Sequence, residues 1–131
     1  MINILLVEDD NTCALLTAMA LDKSDYGEFK VKRVRTIEEC KTEMAKGGFD
    51  CYLIDNSLGD GLTGIELLNE LHGHAPGPFI MLTASEDPLL FLSAIQGGAV
   101  DFVNKRELQA KKALLAQRII CAIANFKRFE K

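Results

Sequence analysis

Five side chains able to handle a hard cation or a phosphoryl group lie far apart in this chain: Glu8, Asp9, Asp55, Thr83 and Lys105. Each closes or follows a short apolar run. Glu8 and Asp9 come after Ile4-Leu5-Leu6-Val7, and Asp55 after Cys51-Tyr52-Leu53-Ile54. Thr83 comes after Phe79-Ile80-Met81-Leu82, and Lys105 after Val100 to Asn104. In a parallel α/β sheet the carboxyl ends of all strands share one edge, and ligands bind there. The pattern predicts that three acids, a hydroxyl and a lysine converge. Carboxylates gather only if something offsets their repulsion, and a divalent hard cation does so. A lysine and a hydroxyl beside them suit phosphoryl oxygens.

The elements that must bring these residues together are legible in the periodicity. Ile2 to Val7 reads as a buried strand, and Asn11 to Leu21 carries Leu15, Leu16, Met19 and Ala20 at helical spacing. Phe29, Val31 and Val34 mark a more polar strand near an edge. Thr36-Ile37-Glu38-Glu39 has the form of a capping box, and Gly47-Gly48 ends the helix it opens. Phe49 to Asp55 is the third strand. A glycine-punctuated loop (Gly59, Gly61, Gly64) leads to a short helix through Ile65, Leu67, Leu68 and Leu71. Phe79 to Leu82 is the fourth strand, and Asp87-Pro88 starts the fourth helix. Ala99 to Val103 is the fifth strand, and Leu108 to about Arg128 reads as one long final helix. Five strands alternating with five helices predict a doubly wound α/β sandwich around a parallel sheet.

Composition narrows the classes. A chain of 131 residues fits one domain, and 48% hydrophobic residues suffice for a core. The net charge of −4 argues against nucleic acid as a direct partner. Cys13, Cys40, Cys51 and Cys121 show no CxxC spacing, so we expect reduced thiols and a cytoplasmic setting. The amino terminus lacks a basic leader, and no apolar run reaches the roughly 18 residues of a membrane span.

Each site residue has a bland reading alone. Glu8-Asp9-Asp10 could be a solvated loop, with Asp10 at a helix start where acids suit the dipole. Asp55 could be a turn residue, Thr83 a strand threonine and Lys105 a surface lysine. Their occurrence in order on four strand ends is what carries weight. Through Ile4–Asp10, Leu53-Ile54-Asp55, Met81-Leu82-Thr83-Ala84 and Gly98–Lys105, the chain resembles the receiver domain of two-component response regulators over nearly its whole length. The resemblance implies a flavodoxin-like five-stranded sheet of order 2-1-3-4-5. It implies that 1–131 is a single receiver domain, either free-standing or the N-terminal portion of a larger regulator.

The resemblance further implies residue roles. Asp55 is expected to be the phosphoacceptor for a phosphohistidine on a histidine kinase or phosphotransfer protein. Asp9, Glu8, Asp55 and the carbonyl of Ser57 are expected to hold Mg²⁺ or Mn²⁺. Thr83 and the Ala84 amide are expected to receive phosphoryl oxygens, and Lys105 to pair with the phosphoryl group or Asp55. Phe102 stands where the family has its switch aromatic, with Thr83 as its switch partner. The fourth helix, fifth strand and final helix form the expected output surface and a candidate homodimer interface. Leu89 and Leu92 should point outward there, while Leu90, Phe91 and Ala94 face the sheet. On the final helix, Leu115, Ile119, Ala122, Ile123 and Phe126 form an apolar face that Ala116 and Ile120 should widen.

The chain departs from the family pattern in three places. Gly59 stands where a proline is usual, Gly64 falls about one residue late, and Arg106 replaces the proline after Lys105. A trans Lys105–Arg106 bond is therefore expected. Ser57 and Ser85 are the small residues two beyond Asp55 and Thr83. An aspartate-nucleophile phosphohydrolase would need an acid at Ser57, so a self-acting switch rather than an enzyme is expected. A docking module that no longer takes phosphate would lack one of the five site residues, and a flavin or dinucleotide binder would need a phosphate loop after the first strand.

Overall fold

In the computed structural model the described residues are 1–22, 26–56, 64–71, 76–84, 87–111 and 113–129. Strands β1 (Ile2–Val7), β2 (Phe29–Val34), β3 (Cys51–Asp55), β4 (Phe79–Thr83) and β5 (Asp101–Asn104) form one parallel sheet of order β2-β1-β3-β4-β5. Helices α1 (Asn11–Leu21), α2 (Ile37–Lys46), α3 (Gly64–Leu71) and α4 (Pro88–Gln96) alternate with the strands. The doubly wound architecture expected from alternation and the flavodoxin-like strand order implied by the resemblance are both observed.

Strand period explains the layering. Alternate side chains of a strand point to opposite faces. Ile4, Leu6, Leu53, Ile80 and Leu82 enter one core, with Ala14 of α1 and the apolar face of the C-terminal helix. Leu5, Val7, Tyr52, Ile54 and Met81 enter the other, with α2, α3 and α4. The central strands β3 and β4 are buried along their whole length, whereas β2 alternates half-buried and exposed up to a buried Val34, as an edge strand does. Gly64 lets α3 lie close on the sheet. A Cβ there would meet Ile54 Cγ2 at 2.7 Å and Met81 Sδ at 2.9 Å.

Local signals behave as their chemistry dictates. Asp10 caps α1, accepting from the Thr12 amide at 2.8 Å. Thr36 caps α2 by accepting from the Glu39 amide at 3.1 Å, while the Glu39 carboxylate reaches back to the Arg35 amide rather than to that of Thr36. Gly47 ends α2 at φ 74°, a conformation that favours glycine. No cis peptide occurs among the described residues, so Lys105–Arg106 is trans, as expected.

The final helix departs from expectation. It is two segments, α5 (Glu107–Ala110) and α6 (Leu114–Phe129), separated where Lys111 leaves helical geometry at φ −130° and ψ 86°. No glycine or proline stands at the break. Both segments pack on α1 and β5, and α6 goes on across β3 and β4. The face of α6 also turns further inward than its pattern implied. Ala116, expected to widen an outer patch, is fully buried with Leu115, Ile119 and Ala122, and Ile120 is half-buried. Among the described residues no helix is long and apolar enough to cross a membrane.

Candidate functional site

The site forms where β1, β3, β4 and β5 end. Register places Val7 beside Ile54, so Glu8 emerges next to Asp55. The Glu8 amide donates to the Val34 carbonyl at 3.0 Å, the Asn56 amide to Leu82 at 3.1 Å, and the Lys105 amide to Thr83 at 2.8 Å. The ladder thus runs on past the strand ends and fixes the backbone that carries each functional side chain.

Lys105 is the hub. Its ammonium donates to Glu8 Oε1 at 2.7 Å and lies 3.0 Å from Asp55 Oδ1. Glu8 is fully buried, and Asp55 and Thr83 are each 4% exposed. Burial, then the adjoining Asp55, pushes the Glu8 carboxyl up to about 7, against the opposing pull of Lys105. Burial alone would lower the Lys105 ammonium, but its bonds to Glu8 and Asp55 outweigh that and hold it above its ordinary value. Asp10 is turned away to its capping role, and the amides of Thr12 and Cys13 hold its carboxyl below the usual range.

Glu8, Asp9 and Asp55 each offer a carboxylate oxygen within 4.8 Å of the others. An all-oxygen, anionic donor set suits Mg²⁺, Ca²⁺ or Mn²⁺ rather than a soft metal. Among the described residues Lys105 is the cation seen in contact with this group of carboxylates. The residues present therefore fit a hard divalent cation.

The structure brings together Glu8, Asp9, Asp55 and Lys105, with Thr83 on the neighbouring strand end and exposed Ala84 directly after it. Ser57, Ser85, Gly59 and Gly61 lie outside the described residues. Phe102 is half-buried and stacks on Phe91 of α4, with ring centroids 3.9 Å apart and planes 13° apart. On α4, Leu89 and Leu92 point outward as expected, at 71% and 51% exposure, joined by Ile95 at 45%, while Ala94 is buried.

Sequence reasoning missed a group on the β2 side. Arg33 Nε donates to the Glu8 carbonyl at 2.8 Å, and its Nη1 to Asn11 Oδ1 at 2.9 Å. Arg35 Nη2 donates to the same Asn11 oxygen at 2.6 Å. One signal was available. Arg33 follows Phe29 and Val31 in the apolar phase of its strand, where a charged residue needs a reason.

Fold and site together define a doubly wound domain whose carboxyl edge holds an acidic, lysine-bridged cluster. A family model described as "Response regulator receiver domain" matches residues 4–118, and the chain belongs to that family, a module of two-component signalling. The swarming motility regulation protein RssB of Serratia marcescens is 35% identical over 106 residues, which are 79% of this chain and 46% of the relative. The chain thus spans about half the length of that protein. The BeF3-activated N-terminal receiver domain of Klebsiella pneumoniae RstA superposes with a TM-score of 0.78 at 26% identity, covering 92% of this chain and 97% of that one. The Mn²⁺-bound form of the response regulator Rcp1 shares the fold, with a TM-score of 0.75 at 19% identity and coverage of 89% and 93%.

Proposed function

We propose that this chain is a phosphoacceptor switch in which Asp55 takes a phosphoryl group from a phosphohistidine on a histidine kinase or phosphotransfer protein. The observation that carries this reading is the Asp55 carboxylate on the central strand, 3.0 Å from the Lys105 ammonium and within reach of the Glu8 and Asp9 carboxylates. An Asp55 oxygen attacks phosphorus as the P–N bond to imidazole breaks. The imidazole nitrogen leaves with the electron pair and takes up a proton. Such a loose transfer needs in-line positioning and charge compensation more than covalent help.

Glu8, Asp9 and Asp55 would hold Mg²⁺ or Mn²⁺, with the Ser57 carbonyl as a further ligand. A bound divalent cation supplies charge compensation between an anionic nucleophile and an anionic phosphoryl group. Lys105 exchanges its contact with Asp55 for a phosphoryl oxygen, a role that suits a compact, mobile charge. The Thr83 hydroxyl and Ala84 amide receive the other oxygens. Rcp1 was solved with Mn²⁺ and RstA with BeF3, which supports the same chemistry here. The movement of Thr83 is passed through Phe102 to α4, β5 and the C-terminal helices, the surface read by a partner or a second copy. The chain acts on itself rather than turning over a substrate, in the cytoplasm and without contacting nucleic acid.

The test is intact mass after incubation with Mg²⁺ and a small phosphodonor, with Asp55→Asn alongside. One phosphoryl group on the native chain alone supports the reading. No adduct from either the small donor or a cognate kinase overturns it.

A further inference from the structure

We propose that Arg33 is a positioning residue for the cation site, a guanidinium strap that holds the Glu8–Asp10 loop in binding shape. The proposal rests on the cation-dependent reading above and deepens it.

The strap spans the whole acidic triplet. Arg33 Nε binds the carbonyl of Glu8, the first of the three, and Nη1 binds the side chain of Asn11, the residue after the last. Glu8 is thereby pinned to β2 on both sides of its α-carbon, because its amide already donates to the Val34 carbonyl. Asp10 is fixed as the α1 cap. Asp9 is left as the one acid of the three whose carboxylate is not committed to Lys105 or to the cap, and it hangs between two anchored neighbours. A ligand whose flanks are already ordered loses less conformational freedom on binding a cation.

Arginine suits this role better than lysine. Its planar fork reaches two acceptors in fixed directions, whereas an ammonium would hold one. The device is also costly, as functional ones tend to be. A second guanidinium, that of Arg35, converges on the same Asn11 oxygen, and Arg33 Nη2 is buried without a partner. An unmade buried hydrogen bond is unfavourable. Hydrogen bonds behind a ligand shell commonly set metal affinity, and their loss typically weakens it about tenfold or more.

Charge and shape make opposite predictions, which gives the test its edge. A nearby cation on its own repels Mg²⁺, so removing it should tighten binding. A strap that shapes the loop should weaken binding when removed. The experiment is calorimetric titration of the full chain with Mg²⁺, and with Mn²⁺ followed by its paramagnetic signal. The chains compared are native, Arg33→Lys, Arg33→Gln and Asn11→Ala.

Both Arg33 variants are expected to bind about tenfold more weakly, and Asn11→Ala to shift the same way by less. Exchange of the Asp9 amide should quicken in the cation-free variants. In phosphorylation by a small donor, the half-saturating Mg²⁺ concentration should rise while the rate at saturating Mg²⁺ is kept, a split that mere unfolding does not produce. Should Arg33→Gln not fold, Arg33→Lys, which keeps stem and charge, still decides. Native or tighter affinity in both Arg33 variants overturns the strap while leaving the phosphoacceptor reading intact. A native chain that takes no divalent cation overturns both.

Discussion

Two regions of this molecule invert the usual partition of side chains, in opposite senses. At the carboxyl edge of the sheet, charged groups are inside: Glu8 is fully buried and Asp55 nearly so. On α4, large apolar groups are outside: Leu89, Leu92 and Ile95 are between 45% and 71% exposed. Both arrangements are unfavourable for an isolated fold, since buried charges need partners and exposed apolar clusters tend to be covered. The stacked pair of Phe102 and Phe91 joins β5, the strand that leads into Lys105, to α4. Under the proposed function the difference tells which kind of partner each region awaits. The first lacks positive charge, and the second lacks a surface.

The sharpest way to break that comparison is to remove the charge that now compensates the first region. Lys105→Met takes from two buried carboxylates the ammonium that Glu8 and Asp55 share. Loss of one partner from such a cluster is expected to cost about 3 kcal/mol or more. Thermal melting at about pH 8 without divalent ions should show a large drop, and added Mg²⁺ should restore more stability than it gives the native chain.

The second prediction follows from Glu8, whose folded carboxyl titrates at about 7 against an ordinary 4.5. Between those values the folded chain keeps a proton that the unfolded chain has released. Stability from this group is therefore complete below about pH 4.5, falls as pH rises to about 7, and is level above that. Lys105, whose ammonium is shifted upward, stays charged throughout this window. The fall should amount to about 3 kcal/mol in the absence of cations. Melting the native chain across this range beside Glu8→Gln checks it, because the variant should lose the slope.

Smaller effects sharpen the link and the outer region. Phe91→Leu keeps apolar volume but removes the stack, for a loss of about 1 kcal/mol. In denaturant unfolding the midpoint should fall with little change in slope. Leu92→Lys should alter stability by no more than about 0.5 kcal/mol, since the residue is exposed. It should nevertheless weaken self-association or partner capture by the phosphorylated chain, measured by sedimentation or pull-down. A variant that unfolds would show that the leucine belongs to the core after all.

Most of the positional logic was readable in the sequence because strand period and strand ends are local signals. Asp55 was found from the four apolar residues before it, and Glu8, Asp9 and Lys105 by the same rule. Features set by tertiary contact were not readable. The break between α5 and α6 has no glycine or proline to announce it, and beyond the α1 and β5 that both segments touch, α6 reaches β3 and β4. Ala116 looked like a surface extension because a helix pattern does not say how deep its stripe sinks. Arg33 was visible as a charge out of phase in β2, but its partners Glu8 and Asn11 are more than twenty residues away.

The Phe91–Phe102 stack has a spectroscopic consequence. Each ring sits in the shielding region of the other, so the aromatic protons of both should resonate upfield of ordinary phenylalanine positions. The chain has no tryptophan whose larger ring current would crowd the same region. If Phe102 turns when Asp55 is modified, both sets of resonances should relax together. The stack would then be a label-free gauge of the proposed switch, readable without knowing what binds the outer surface.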